Sequence, residues 1–431
     1  MKIKLKQRIL SENNKKWGKI VGVTGAGQLV VQISALIIGL LIVRFLSPEE
    51  YAFYTIANAM LGTMTVLADG GISAGVLAEG GKVWEDRIAL GKVLATGLAL
   101  RRKFALYSLI FCIPALSYLL WKQDAAWWQI VIISLSLIPA FYAALSDSIL
   151  EIVPKLHYHV KPLQKNQVVV NILRLISSLV IFLVPFTVIA LLANGIPRII
   201  GNFRLRKIVS PYADFDQSID NETKGAILKV VKGILPGSIY FCFSGQISVW
   251  LISIFGETTA VAQIGALGRF SMILNFVTMV AGMLLIPAFA KYKGSNSKVL
   301  VFFTFSLLGG MVLTALFSFI FYLFSSQALW LLGDKYENLN YELVLVIIAA
   351  ALSVTSGVLF KLSSSRGKPT HPLLIIFGNL SFIVVGVLIF DISNLVGVLY
   401  FNIFINSMTI LVHAISFYYN FYYKNLKTDV G

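Results

Sequence analysis

The sequence predicts an all-α integral membrane protein with twelve transmembrane helices. Charged residues make up only 13% of the chain, against 57% hydrophobic residues and a mean hydropathy of +0.81, whereas a soluble domain carries about a quarter charged residues. The apolar residues arrive in runs of roughly 18 to 30, and about 20 suffice to cross a hydrocarbon core. Of the 36 lysines and arginines, 30 fall in alternate interruptions between those runs. Backbone groups inside such runs must be satisfied internally, and no alternation with a period of two suggests a β-barrel, so each run is read as a helix.

The first 19 residues hold Lys2, Lys4, Lys6, Arg8, Lys15, Lys16 and Lys19. The stretch Ile20 to Val43 behind them has no small-residue cleavage pattern and is too long for a signal peptide, so it reads as the first span. The spans are placed at 20–44, 52–77, 104–121, 127–150, 167–184, 186–203, 233–255, 259–290, 299–324, 341–362, 371–391 and 395–421. Between the fifth and sixth, only Val184-Pro185-Phe186-Thr187 offers a turn. A single helix there would be roughly 55 Å long, far more than the core requires, so a hairpin is expected.

With the N-terminus inside, the outer segments hold only Arg44, Lys122 and Lys335. That asymmetry is the positive-inside rule, and it places both termini in the cytoplasm of a multi-pass protein. The basic residues are scattered over loops rather than gathered in one domain, which argues against nucleic acid as a partner. Cys112 and Cys242 sit inside apolar runs and read as small buried hydrophobes, neither a disulfide framework nor a metal site.

The longest polar interruption, 204–232, divides the chain into a six-helix lobe at 1–203, a basic cytoplasmic linker and a six-helix lobe at 233–431. Phe45-Leu46-Ser47-Pro48-Glu49-Glu50-Tyr51-Ala52 after the first span and Phe255-Gly256-Glu257-Thr258-Thr259-Ala260-Val261-Ala262 after the seventh are similar acidic turns, about 210 residues apart. Such recurrence fits two lobes related by an internal repeat.

Three arginines, Arg174, Arg198 and Arg269, fall within spans, where each costs about 2.5 to 3.5 kcal/mol on insertion scales. Gln167, Asn171, Arg174 and Ser178 share one face of the fifth span, and Asn194, Arg198 and Asn202 repeat the device on the sixth. Arg174 and Arg198 either line a water-filled cavity that attracts an anion or snorkel to headgroups. Arg269 is deeper and reads first as a cavity cation, with a structural bond to a carbonyl or side chain as the other option. Uncharged stripes run through Gln28 and Gln32, through Asn58, Thr65 and Asp69, and through Asn402, Asn406, Thr409 and His413. They read either as interhelical hydrogen-bonding glue or as cavity walls that meet sugar hydroxyls. A proton relay through His413 is weighed against a plain hydrogen-bonded histidine.

Acidic residues are nearly absent from the spans: Asp69, Asp147 and Glu151 are placed near their cytoplasmic ends. A basic interior without buried carboxylates suits an anion better than a cation. No Walker A lysine motif, zinc-ligand spacing or nucleophile elbow occurs, so a transporter without cofactor or metal is expected rather than an enzyme. A membrane glycosyltransferase or polymerase would need clustered catalytic residues and a large outer loop, and the longest outer loop, about 325–340, is small.

Arg44-Phe45-Leu46-Ser47-Pro48-Glu49-Glu50-Tyr51-Ala52-Phe53-Tyr54, with Leu67-Ala68-Asp69-Gly70-Gly71-Ile72, resembles the N-terminal signature of Wzx-type polysaccharide biosynthesis (O-antigen flippase) proteins. Leu331-Leu332-Gly333-Asp334-Lys335-Tyr336 and Ser365-Arg366-Gly367-Lys368-Pro369 are similar to that family's punctuation in the second half. The family belongs to the multidrug/oligosaccharidyl-lipid/polysaccharide exporter superfamily. The resemblance implies two six-helix lobes around a central cavity that alternately opens to either side of the bacterial inner membrane. It implies a substrate too, an undecaprenyl-diphosphate-linked oligosaccharide, with membrane lipid around it and a polysaccharide polymerase among candidate partners. Members of the family commonly place basic residues in the cavity, and Arg174, Arg198 and Arg269 are the positions here that could serve. Many relatives carry an acidic residue in the seventh span where this chain reads Ser244-Gly245-Gln246-Ile247-Ser248. The competing expectation is a multidrug or cation-coupled exporter of the same superfamily, which requires a carboxylate facing the interior.

Overall fold

The computed structural model describes residues 2–292, 295–366 and 372–426. Gly367, Lys368 and Pro369 of the second punctuation motif, together with Lys293 and Lys427, lie outside the described residues. Helices dominate: ten are long and apolar enough to cross a membrane. A bent pair, Pro48–Asp69 with Ile72–Gly80, brings the count among the described residues to eleven, and the helix at 372–389 is a shorter apolar one. Each coincides with one of the twelve runs read from the sequence.

The chain divides into two compact units, 1–246 and 247–431. In the first, α1 (Lys2–Phe45), α2 (Pro48–Asp69), α3 (Ile72–Gly80) and α4 (Arg87–Lys122) are followed by α5 (Trp127–Ser136), α6 (Ile138–Leu150) and α7 (Ile152–Leu156). Then come α8 (Val160–Ser178), α9 (Thr187–Val209) and the start of α10 (Asn221–Phe255). α1 packs on α8, α2 on α4, and α9 on both α6 and α8.

Local chemistry sets these boundaries. Ser47 caps α2 by accepting the Glu50 N–H at 3.2 Å. The Glu50 carboxylate then accepts the Thr187 N–H at 2.7 Å, placing a negative charge at the N-terminus of α9. A short 3-10 turn, Leu179–Phe182, closes α8 before α9 begins, so the fifth and sixth spans form the expected hairpin. That hairpin is tight: a Cβ on Gly201 would lie 2.2 Å from Val170 Cγ2, and Asn166 Nδ2 donates to the Gly201 carbonyl at 3.0 Å. Pro197 offers no N–H to the Ala193 carbonyl one turn earlier; Ser177 Oγ of α8 supplies the missing donor at 2.7 Å.

α4 is longer than its apolar run, 36 residues or roughly 54 Å. Its first turns bury Leu90, Val93 and Leu94 against Val209, Ala213, Ile227 and Val231. The linker is therefore shorter than the sequence suggests, since α9 continues to Val209 and α10 begins at Asn221. Side chains such as Phe111 and Leu183 are 72% and 84% exposed, as lipid-facing residues of a multi-pass membrane protein are. Trp121, Trp127 and Trp128 gather around the turn from α4 to α5 in the manner of an interfacial aromatic belt. Cys112 and Cys242 are free and buried.

The second unit holds α11 (Thr258–Ser271), α12 (Leu274–Val280), a π-helical turn (Ala281–Leu285), α13 (Ile286–Lys291) and α14 (Asn296–Leu323). α15 (Ser325–Leu332), α16 (Asn340–Ser365), α17 (Pro372–Ile389) and α18 (Leu395–Leu426) complete it. α16 packs between α14 and α18, and Phe303 stacks on Phe417 with centroids 3.9 Å apart.

Candidate functional site

A cavity of about 660 Å³ opens inside the first unit, walled by α1, α2, α4, α6, α8, α9 and, through Ser238, α10. Of the residues proposed from sequence, Gln28, Gln32, Asn171, Arg174 and Arg198 line it. The spacing of four and three residues that put Gln167, Asn171 and Arg174 on one face of α8 is the reason they share this wall.

Arg174 is held entirely by neutral groups. Its Nη1 donates to Asn171 Oδ1 at 3.1 Å, while Nε and Nη2 donate to Asn194 Oδ1 of α9 at 3.2 and 2.8 Å. Asn194 is fixed in turn, because its Nδ2 donates to the Ala190 carbonyl at 2.9 Å and to Tyr54 Oη of α2 at 3.2 Å. Arg198, one turn beyond Asn194, lines the same cavity and makes no hydrogen bond or ion pair among the described residues. Two guanidinium charges thus stand in one cavity without direct contact to a carboxylate among the described residues, the charge of Arg198 reaching Asp147 only through space.

Carboxylates nevertheless enter the wall, which corrects the expectation of an interior free of them. Asp147 of α6 accepts from Asn202 Nδ2 at 2.7 Å. Glu151 accepts from Gln167 Nε2 at 2.8 Å and from Lys155 Nζ at 2.8 Å. Gln28 Nε2 donates to Gln167 Oε1 at 3.0 Å, so α1 is tied to α8 and on to Glu151. Asp69 meets Arg101 of α4 with Nη1 and Oδ1 2.5 Å apart. Arg101, counted with the loop preceding the third span in the sequence, is only 3% exposed and lines the cavity.

The other predicted residues lie elsewhere. Asn58 donates to the Tyr54 carbonyl at 3.0 Å within α2 and does not line the cavity. In the second unit, half-buried Arg269 stands in the last turn of α11, just before the helix breaks. Asn402 accepts from Ser248 Oγ of α10, and Asn406 Nδ2 donates to the Ala349 carbonyl of α16 at 3.3 Å. Both join helices within that unit. His413 is buried there beside the Phe360 ring, with centroids 5.6 Å apart. Among the described residues, no group of three or more His, Cys, Asp or Glu stands together.

Fold and cavity together define a polytopic helical membrane protein with a polar cavity inside its first unit. The solved structures similar to it include an inward-facing MATE-family multidrug resistance transporter of the MOP superfamily, at 13% identity over 93% of this chain and 95% of that one, TM-score 0.69. The lipid II flippase MurJ in an inward closed conformation is similar at 13% identity over 91% of this chain and 86% of its own, TM-score 0.64. A mutant of the Vibrio cholerae MATE transporter VcmN is similar at 19% identity over 94% and 96%, TM-score 0.56. No protein-family model and no curated protein matches the sequence. The chain therefore shares its fold with these structures.

Proposed function

We propose that this protein is a flippase that carries a polyprenyl-diphosphate-linked oligosaccharide across the bacterial inner membrane by alternating access. Arg174 and Arg198 take the diphosphate, and the carboxamides of Gln28, Gln32 and Asn171 meet sugar hydroxyls. Both termini are cytoplasmic in this reading, and 204–232 joins two six-helix lobes. Arg269 is the second lobe's basic contribution, and a polysaccharide polymerase is the companion that consumes the product.

One observation carries the reading: among the described residues neither cavity arginine is in hydrogen-bond or ion-pair contact with a carboxylate, and Arg198 makes no hydrogen bond at all. Guanidinium forks match phosphate oxygens, and a charge kept at such cost within a membrane calls for an anionic ligand. The fold likeness to a structure described as a lipid II flippase is in keeping with it. Replacing Arg174 and Arg198 with Ala, singly, is expected to abolish surface polysaccharide while the protein stays in the membrane. Normal polymer from both variants would sink the reading.

A second reading rests on Asp69, Asp147 and Glu151, which line the same cavity. A cation-coupled multidrug exporter needs such a carboxylate, and several similar structures are of MATE transporters. It predicts that Asp147→Asn raises drug susceptibility as far as gene deletion does, with surface polysaccharide intact. The flippase reading predicts the reverse pattern.

A further inference from the structure

Arg101 of α4 and Asp69 of α2 form an ion pair between two helices of the first unit. Their burial is unequal: the Arg101 side chain is 4% exposed and that of Asp69 is 29% exposed. Leaving the more deeply buried guanidinium without an anion costs more than leaving the part-hydrated carboxylate without a cation. Asp69 also has other donors, Ser73 N–H at 3.2 Å and Ser73 Oγ at 2.5 Å.

The bonding of Arg101 is lopsided. Its Nη1 has two hydrogens but faces three oxygens, those of Asp69, Ser73 and Ser148 at 2.5, 2.9 and 2.5 Å. Nη2 reaches only the Ala144 carbonyl at 3.4 Å, and Nε is buried without a partner. The Nε–Nη2 edge of the fork is therefore short of acceptors, its one contact being the long one to the Ala144 carbonyl, while a single nitrogen carries the ion pair.

Asp69 is also the last residue of α2, where the span turns by 43° into α3 through Gly70 and Gly71 at φ 50° and 98°. Both glycines hold left-handed backbone that only glycine adopts without cost. Through Ser73 the carboxylate ties the first turn of α3 back to the end of α2 and, through Arg101, to α4.

We propose that Arg101 is a third anion-binding residue of the cavity, neutralised by Asp69 when no ligand is present, and that a bound diphosphate takes it from Asp69 and unpins the bend between α2 and α3. This rests on the flippase reading, since it requires a diphosphate in the cavity. A phosphate offers paired oxygens to Nε and Nη2, a stronger match than the single-nitrogen contact with Asp69. The released Asp69 keeps its serine donors and its exposure to the cavity.

The test uses the full chain in lipid nanodiscs, farnesyl diphosphate as probe and farnesol as control. Asp69→Asn removes the competitor while keeping its size and is expected to tighten probe binding about tenfold. Adding Arg101→Gln in that background removes both charges together, so no charge is stranded, and is expected to cancel the gain. Spin labels on Glu49→Cys and Leu77→Cys, with Cys112 and Cys242 replaced by Ser, are expected to change separation when the probe binds. If the probe binds in an Arg198-dependent way but Asp69→Asn leaves affinity unchanged, the double variant keeps the gain, or the label distance stays fixed, this proposal is overturned and the flippase reading stands. Probe binding that is absent, or indifferent to Arg174 and Arg198, overturns both.

Discussion

Two nitrogens of Arg174, Nε and Nη2, donate to a single amide oxygen, Asn194 Oδ1. A carboxylate at this position would be the ordinary partner for a fork so placed, and would cancel its charge. Asn194→Asp is nearly isosteric but gives up the donation to the Ala190 carbonyl; with its stability followed in parallel by thermal unfolding, it is expected to weaken diphosphate binding by about tenfold, roughly 1.4 kcal/mol. Titration of farnesyl diphosphate into the purified variant measures it, and unchanged affinity would mean that the free charge of Arg174 is not used.

Ser177, Ala193 and Pro197 form a repair within the hairpin of α8 and α9. Ser177→Ala leaves the Ala193 carbonyl without the donor that Pro197 cannot supply, and the cost is expected to be about 0.6–1.7 kcal/mol for a bond between membrane helices. Pro197→Ala returns the N–H, so the double variant should lose less than the sum of the singles. Thermal unfolding of the four proteins in one detergent gives the coupling, and strict additivity would dismiss the repair.

Much of this architecture is legible in the sequence because hydrocarbon thickness and backbone satisfaction leave few choices. The twelve apolar runs, and the hairpin at Val184-Pro185-Phe186-Thr187, follow from length alone. Arg174 and Asn171 are legible too, since 3.6-residue periodicity puts them on one face. Arg101 is not: it opens the run Arg101-Arg102-Lys103 and looks like one more loop charge, because nothing local shows that α4 extends back to Arg87. Asp147 and Glu151 sit one turn apart near the end of an apolar run, and their place in the wall depends on where α8 and α9 pack. Tertiary packing decides which end-of-span charges face inward, and single-helix periodicity carries no trace of it.

Gly201 is the tightest point of that packing. A side chain there meets Val170 Cγ2 at 2.2 Å, far inside contact distance, so Gly201→Ala forces α8 and α9 apart or Val170 off its rotamer. Overpacking of this kind costs about 1–3 kcal/mol. Val170→Ala alone leaves only a small void, and combined with Gly201→Ala it should recover most of the loss. Because Arg198 sits less than a turn before Gly201 on the same helix, the single variant should also weaken diphosphate binding, and the double should restore it. Recovery of stability without recovery of binding would show that the hairpin spacing does not position Arg198.

The short linker between α9 and α10 gives a prediction with a defined pH sign. The Asp220 N–H donates to Thr96 Oγ1 at 3.0 Å, and its carboxylate caps the start of α10 by accepting the Thr223 N–H at 2.8 Å. Asp214 accepts from Gln217 Nε2 at 2.5 Å and from the Asp216 N–H at 3.2 Å, while its own N–H donates to the Arg87 carbonyl at 3.1 Å. The side chain and backbone of Thr223 hold the Asp220 carboxyl below the usual carboxylate range, and Gln217, then the Asp216 backbone, do the same for Asp214. A carboxyl depressed on folding stabilises in full above its unfolded pKa, about 3.9, and loses that contribution as pH falls through the folded value. Hydrogen-exchange protection of residues 214–223, corrected for intrinsic rates, should therefore stay flat from neutral pH down to about 5 and fall below about 4. Asp220→Asn keeps a good capping side chain but cannot titrate. It should hold its protection of Thr223 at low pH, and a loss as steep as that of the unmodified chain would place the acid-sensitive group elsewhere.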